Sequence, residues 1–172
     1  MPSKIPVFVS APTDMSAEQK ATFDELMDIL GNENLEPRSL GKSDYPNDFP
    51  LREVAIIARH CSGGIILGFS QVECVDAKFK PWNTGHKVVN NYKLPSQWNN
   101  LEAGMLFTMD IPLMVFREAG IEGGVFDVGV TDVFLQKLPL GGFAKDRDQV
   151  VATIQIWAGR VRDRYRDWRR FK

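Results

Sequence analysis

Gly63-Gly64-Ile65-Ile66-Leu67-Gly68 is a short apolar run with β-branched residues at its centre and glycines at its ends. A strand covered on one face alternates apolar and polar residues. A strand covered on both faces has no polar position at all. The run is too short for a buried helix and is bounded by glycine, so it reads as a central strand of a parallel sheet. Its flanks agree. Upstream, Val54, Ile57 and Ala58 mark a helix that ends near Cys61. Downstream, a helix is expected over residues 96–109, followed by an apolar strand over 112–117.

Working outward, residues 5–10 form another short apolar strand. Ser16-Ala17-Glu18-Gln19 then has the capping-box pattern, in which the Ser16 hydroxyl takes the Gln19 amide and the Gln19 side chain reaches back. Phe23, Leu26, Met27 and Leu30 follow at helical spacing, and Gly31 stops the run. Residues 35–40 read as a weak second strand, and 125–138 as a further strand or two. From Lys145 onward, Val150, Ile154, Trp157, Val161 and Trp168 trace one face of a long final helix. Strands alternating with helices give βαβ units. The expected fold is an α/β, flavodoxin-like three-layer domain with a central parallel sheet, spanning residues 1–172 as one unit. Residues 71–95 break the pattern. Phe79, Trp82, His86 and Tyr92 stand there among polar residues without a period, and a long loop insertion is expected, with Trp82 and Tyr92 available to stack on a base. In such sheets ligands bind beyond the carboxyl ends of the strands, so stretches 10–14, 41–49, 69–71 and 118–124 should rim one site.

Composition narrows the classes. The chain has 172 residues, 44% hydrophobic and 25% charged, as in ordinary globular domains. A net charge of -1 creates no field toward nucleic acid or anionic membranes. Two cysteines supply neither a disulfide framework nor metal-ligand spacing. No apolar run reaches the roughly 18 residues of a membrane span, and the opening residues run straight into a strand pattern. The cytoplasm is the expected location, with no membrane partner. Arg160, Arg162, Arg164, Arg166, Arg169 and Arg170 alternate with Asp163 and Asp167, which favours a solvated amphipathic helix over a nucleic-acid contact.

Several chemistries lack their motifs. There is no Gly-x-Gly-x-x-Gly, no Walker loop and no Gly-x-Ser-x-Gly elbow, and His60 and His86 lack partners at ligand spacing. The informative stretch is Ser96-Gln97-Trp98-Asn99-Asn100-Leu101-Glu102. If Ser96 caps the helix, Trp98 and Glu102 fall one turn apart on one face, at the carboxyl edge of the sheet. Leu101, Met105 and Leu106 are expected to bury the other side. A carboxylate beside an aromatic ring, partly withdrawn from water, is a strong partner for a developing cation.

This stretch resembles the signature of Toll/interleukin-receptor (TIR) domains, Ser-x-Trp-Cys-x-x-Glu at the start of their third helix. Ser96, Trp98 and Glu102 match in place; Asn99 stands at the cysteine position, a change expected to affect packing. Val7-Phe8-Val9-Ser10 resembles the family's first strand, residues 44–50 occupy the place of its BB loop, and 56–70 resemble its second helix and third strand. Enzymatic members cleave NAD at the nicotinamide–ribose bond using this glutamate, and some bacterial ones cyclise the ADP-ribose product into a signal, so the resemblance implies a role in bacterial anti-phage signalling. The resemblance implies Glu102 as the catalytic residue, with NAD as substrate and no separate cofactor. Phe8, Ser10, Asp44, Tyr45, Phe69, Ser70 and Trp98 are the candidate substrate-binding residues. Nicotinamide leaves NAD as a neutral molecule, so one carboxylate suffices and no general acid is required. Control would come from an activating partner protein or from a homo-oligomer.

Two alternatives stand beside it. Glu102-Ala103-Gly104-Met105 also resembles the Glu-x-Gly-x-Ala setting of nucleoside 2-deoxyribosyltransferases and nucleotide N-glycosidases. There Glu102 would attack the sugar carbon, with Asp44 or Asp48 handling the base. The other alternative is a non-catalytic TIR-like binding or adaptor module. Two smaller expectations complete the reading. Free amides ahead of the Ser16 helix would suit a phosphate, and Glu118 would face ribose or pair with Arg117 or a lysine.

Overall fold

A computed structural model describes residues 4–41, 49–130 and 134–170. In chain order these form β1 (Ile5–Ser10), α1 (Ala17–Asn32), β2 (Leu35–Arg38), α2 (Pro50–Arg59) and β3 (Gly63–Gly68). They continue with β4 (Val72–Phe79), β5 (Lys87–Leu94), α3 (Gln97–Thr108), β6 (Leu113–Arg117), β7 (Phe134–Lys137) and α4 (Arg147–Arg170). Five strands make one sheet in the order β2-β1-β3-β6-β7, and every neighbouring pair is parallel. This is the flavodoxin-like order, and the expected α/β three-layer architecture is what the chain adopts. The order reverses between β1 and β3, where a ligand crevice is expected in such sheets.

Period-two alternation divides each strand between two helix layers. Val7 and Val9 of β1, Ile65 and Leu67 of β3, and Met114 and Phe116 of β6 pack with Leu26, Ile29 and Leu30 of α1 and Ile154, Trp157 and Val161 of α4. Phe8, Ile66 and Val115 face the opposite layer, with Val54, Ile57 and Ala58 of α2 and Ala103 and Leu106 of α3. The glycines of β3 set how closely those layers approach. A Cβ on Gly63 would lie 2.7 Å from the Trp157 ring, and one on Gly68 would lie 2.4 Å from Phe126. Burial on both faces explains why β3 carries no polar residue.

One expectation is corrected. Residues 71–95 are not an irregular loop; they hold the antiparallel hairpin β4–β5, paired from Val72 opposite Leu94 to Phe79 opposite Lys87. Both faces of the hairpin meet solvent over most of its length, so its sequence carries no alternation, and alternation is what reveals a strand. Trp82 is 83% exposed at the tip, while Tyr92 packs edge-on against Phe79. Residues 125–138 hold a single described strand, β7, preceded by a short 3-10 turn at Gly124–Phe126.

The arginines of α4 whose partners are seen make local contacts. Arg162 binds Glu33, Arg164 binds the carbonyls of Met109 and Asp110, and Arg166 pairs with Asp163. Among the described residues no helix is long and apolar enough to cross a membrane.

Candidate active site

The carboxyl ends of β1 and β3 open onto a cavity of about 360 Å³. Its floor and one wall are residues 10–14, which leave β1 for α1. Leu40 and Gly41 follow β2, and Gln71 follows β3. The remaining wall is the first two turns of α3, with Ser96, Trp98, Asn99 and Glu102. Three of the four expected rim stretches therefore contribute. Residues 118–124 are not among those lining the cavity.

The Ser96 hydroxyl accepts from the Trp98 amide at 3.3 Å and starts α3 as expected. The buried stripe of the helix is Asn99, Glu102, Ala103 and Leu106. Leu101 was expected to be buried but is 45% exposed, whereas Glu102 is only 8% exposed. The carboxylate lies on the inward face because Asn99, Ala103 and Leu106 share its side of the helix at three- and four-residue spacing. Trp98, one turn earlier, borders the cavity while remaining 43% exposed.

Burial pushes the Glu102 carboxyl up from its ordinary 4.5 to about 7, because the charged form loses hydration. A hydrogen bond from the Ser10 hydroxyl acts in the opposite direction and favours the carboxylate. Asn99 Nδ2 in turn donates to Ser10 Oγ at 2.7 Å. Asn99 Oδ1 is buried and has no partner among the described residues. Asn99 is thus a polar member of the site and more than a packing substitute. The signal for it was its spacing, three residues before Glu102 in an otherwise apolar stripe.

The structure brings together Ser10, Trp98 and Glu102 from the expected set, and adds Asn99, Gln71, Thr13 and Asp14. It places the two phenylalanines elsewhere. Phe8, 1% exposed, points into the core under α2 and α3, and Phe69, fully buried, joins the core under α1 and α4. Two-residue alternation requires Phe8 to share the α3 side of the sheet with Ser10, but one step deeper. Asp44, Tyr45 and Asp48 lie outside the described residues.

Ser70 and Glu118 belong to a second polar cluster beside the cavity. The Glu118 carboxylate accepts from the Ser70 amide at 3.0 Å, from Gln19 Nε2 at 3.2 Å and from Lys93 Nζ at 2.9 Å. Burial alone would raise its pKa, but the Ser70 amide, Lys93 and Gln19 together hold it below the usual carboxylate range. Glu118 therefore pairs with a lysine, the second of its two expected roles. It joins α1, the end of β3 and the hairpin. At the start of α1 both bonds of the capping box are present, so the Gln19 amide is already taken, and Glu18 adds negative charge there. Both features disfavour the phosphate expected at that helix start.

Among the described residues no three His, Cys, Asp or Glu side chains converge as a metal cage would require. No protein-family model matches the chain. No curated protein matches it either. Among solved structures, it is similar to that of the CMP N-glycosidase BcmB of Clostridium botulinum, with 12% sequence identity. The match covers 84% of this chain and 97% of that one, with a TM-score of 0.48, and at that score it bears on neither fold nor chemistry here.

Proposed function

We propose that the chain cleaves a ribosyl N-glycosidic bond of a nucleotide, with Glu102 as the central carboxylate and NAD as the first substrate to consider. The observation that carries this reading is the position of Glu102, which is buried on α3 and set into a cavity at the switch point of the sheet. A carboxylate with little hydration stabilises an oxocarbenium centre more strongly than a solvated one. Among the described residues lining the cavity, Asp14 is the other ionisable group. A cavity whose described ionisable groups are both carboxylates, with no cationic side chain among them, suits a leaving group that already carries positive charge.

In NAD the bond from ribose C1′ to the pyridinium nitrogen breaks, and its electron pair neutralises the nitrogen. Nicotinamide leaves without taking a proton. Ionised Glu102 faces the sugar cation until water captures C1′ and releases a proton, or until a nucleophile within the same molecule closes a ring. Trp98 offers a flat apolar surface for the nicotinamide or another base. A cavity of about 360 Å³ sits near the lower end of ligand-pocket sizes and suits one nucleoside portion, with the rest of a dinucleotide running out over the open side.

One observation favours a second reading, a nucleoside deoxyribosyltransferase or nucleotide N-glycosidase. At a pKa of about 7, Glu102 is partly protonated at neutral pH and can give a proton to a neutral base. The test is product analysis by chromatography and mass spectrometry, with NAD and a panel of nucleosides and nucleoside monophosphates incubated separately. Nicotinamide release supports the first reading, and its co-product separates hydrolase from cyclase. Free purine or pyrimidine supports the second. Turnover of nothing in the panel favours the third reading, a TIR-like binding module.

A further inference from the structure

We propose that the carboxyl ends of β6 and β7 form a phosphate-binding site, built on Arg117 and Lys137 and separate from the cavity of Glu102.

A second cavity, of about 400 Å³, opens where these two strands end. Arg117, Leu135 and Lys137 line it, together with residues 127–129. It shares no lining residue with the first cavity. Arg117 and Lys137 are the last residues of their strands and are register partners. Partners in a parallel pair project to the same face, and neighbouring strands lie about 4.8 Å apart. Two cations therefore share one wall at the sheet edge where such folds take their ligands. Like charges in that arrangement repel. Among the described residues neither cation is paired with a carboxylate. Asp127 lines the same cavity, but its Oδ1 accepts from the Gly123 amide at 2.8 Å.

The two cations differ in a useful way. Arg117 is half-buried and pinned, with Nη1 donating to the Phe126 carbonyl at 2.8 Å and reaching that of Ile121 at 3.5 Å. Its Nε and Nη2 donors have no partner among the described residues. A guanidinium held in place loses little freedom when it takes a ligand. Lys137 is exposed, and its ammonium has no partner among the described residues. Its flexible stem lets it close on a ligand held by Arg117. A phosphate monoester carries a charge of about -1.5 to -2 and three acceptor oxygens, so it can accept from both cations at once. A carboxylate brings one charge and two oxygens. Leu135 and Val128 offer apolar surface beside the cations, and the cavity exceeds the size of a bare phosphate. The ligand class is a small phosphorylated compound, with inorganic phosphate sharing the same chemistry.

The site is tested by nitrogen-15 NMR of the full chain, titrated with inorganic phosphate, ribose 5-phosphate or sodium acetate at constant ionic strength. Phosphate should give saturable shifts of the Gly129 and Lys137 amides and of the Arg117 side-chain N–H, and acetate should bind about tenfold more weakly or worse. Tighter binding of ribose 5-phosphate than of phosphate would identify a phosphorylated compound as the ligand, and equal binding would identify free phosphate. Lys137→Gln, a change at an exposed position, should weaken phosphate about tenfold or more, because a charged hydrogen bond is lost. Glu102→Gln should bind phosphate as the parent does, so the outcome is independent of the glycosidase reading. Shifts that grow without saturating, acetate binding as tightly as phosphate, full affinity in Lys137→Gln, or affinity lost in Glu102→Gln would overturn the proposal.

Discussion

Asn99 in the first turn of α3 donates to Ser10, the last residue of β1, at 2.7 Å and joins the sheet edge to the helix that carries Glu102, the carboxylate buried in the cavity wall. Burial favours the neutral acid and Ser10 the anion, and the balance lies at about 7. A reaction that uses ionised Glu102 should therefore gain about tenfold in kcat/KM per pH unit below that midpoint and level off above it. A pH–rate profile from 5 to 9 checks this. A rate that falls as pH rises through 7 would assign Glu102 the role of acid and favour neutral-base substrates.

The same raised pKa has a stability consequence of defined sign. Folded Glu102 holds its proton up to about 7, while the unfolded chain loses it near 4.5, so between these values the native state binds more protons. The contribution is fully present below 4.5 and is lost as pH rises to about 7. Glu102→Gln carries no such burden. It should be more stable than the parent at pH 8 by up to about 3 kcal/mol, and nearly equal to it at pH 4.5. Urea unfolding at the two pH values measures the difference. A destabilised Gln variant at pH 8 would contradict the burial argument.

Glu118 makes the opposite prediction. Its pKa is held low and that of Lys93 is raised, the latter chiefly by the hydrogen bond to Glu118. Their mutual stabilisation is present between about 4.5 and 10.5, fading below through the folded pKa of Glu118 and above through that of Lys93. Glu118→Ala leaves the Ser70 amide, Gln19 and Lys93 without this acceptor and should cost about 2 kcal/mol at pH 7. Because Lys93 lies in β5, the variant should also speed amide exchange in the hairpin more than in β3 or β6. Equal acceleration across the central sheet would show instead that Glu118 supports the fold as a whole.

The legibility of the sequence followed burial. Strands β1, β3 and β6 were readable because two helix layers cover them, which removes polar residues and leaves Gly63–Gly68 without ambiguity. The capping box at Ser16 and the start of α3 at Ser96 were readable because local hydrogen bonding dictates residue type. The hairpin was not, since exposed strands have no face to mark. Within the site, Ser10, Trp98 and Glu102 were reachable from sheet topology and helical spacing. Phe8 and Phe69 were misplaced because position at a strand's end was given more weight than side-chain parity. Asn99 was missed because its role depends on which distant element it meets, and it finds Ser10 across 89 positions of sequence.

The central claim is tested most directly by comparing the parent protein with Glu102→Gln on the nucleotide it cleaves, following release of nicotinamide or free base by chromatography. The account predicts product from the parent and a loss of about a hundredfold or more in the variant, with the variant folded and, at pH 8, more stable. Undiminished turnover in a folded Glu102→Gln protein would remove Glu102 from the mechanism and contradict the account.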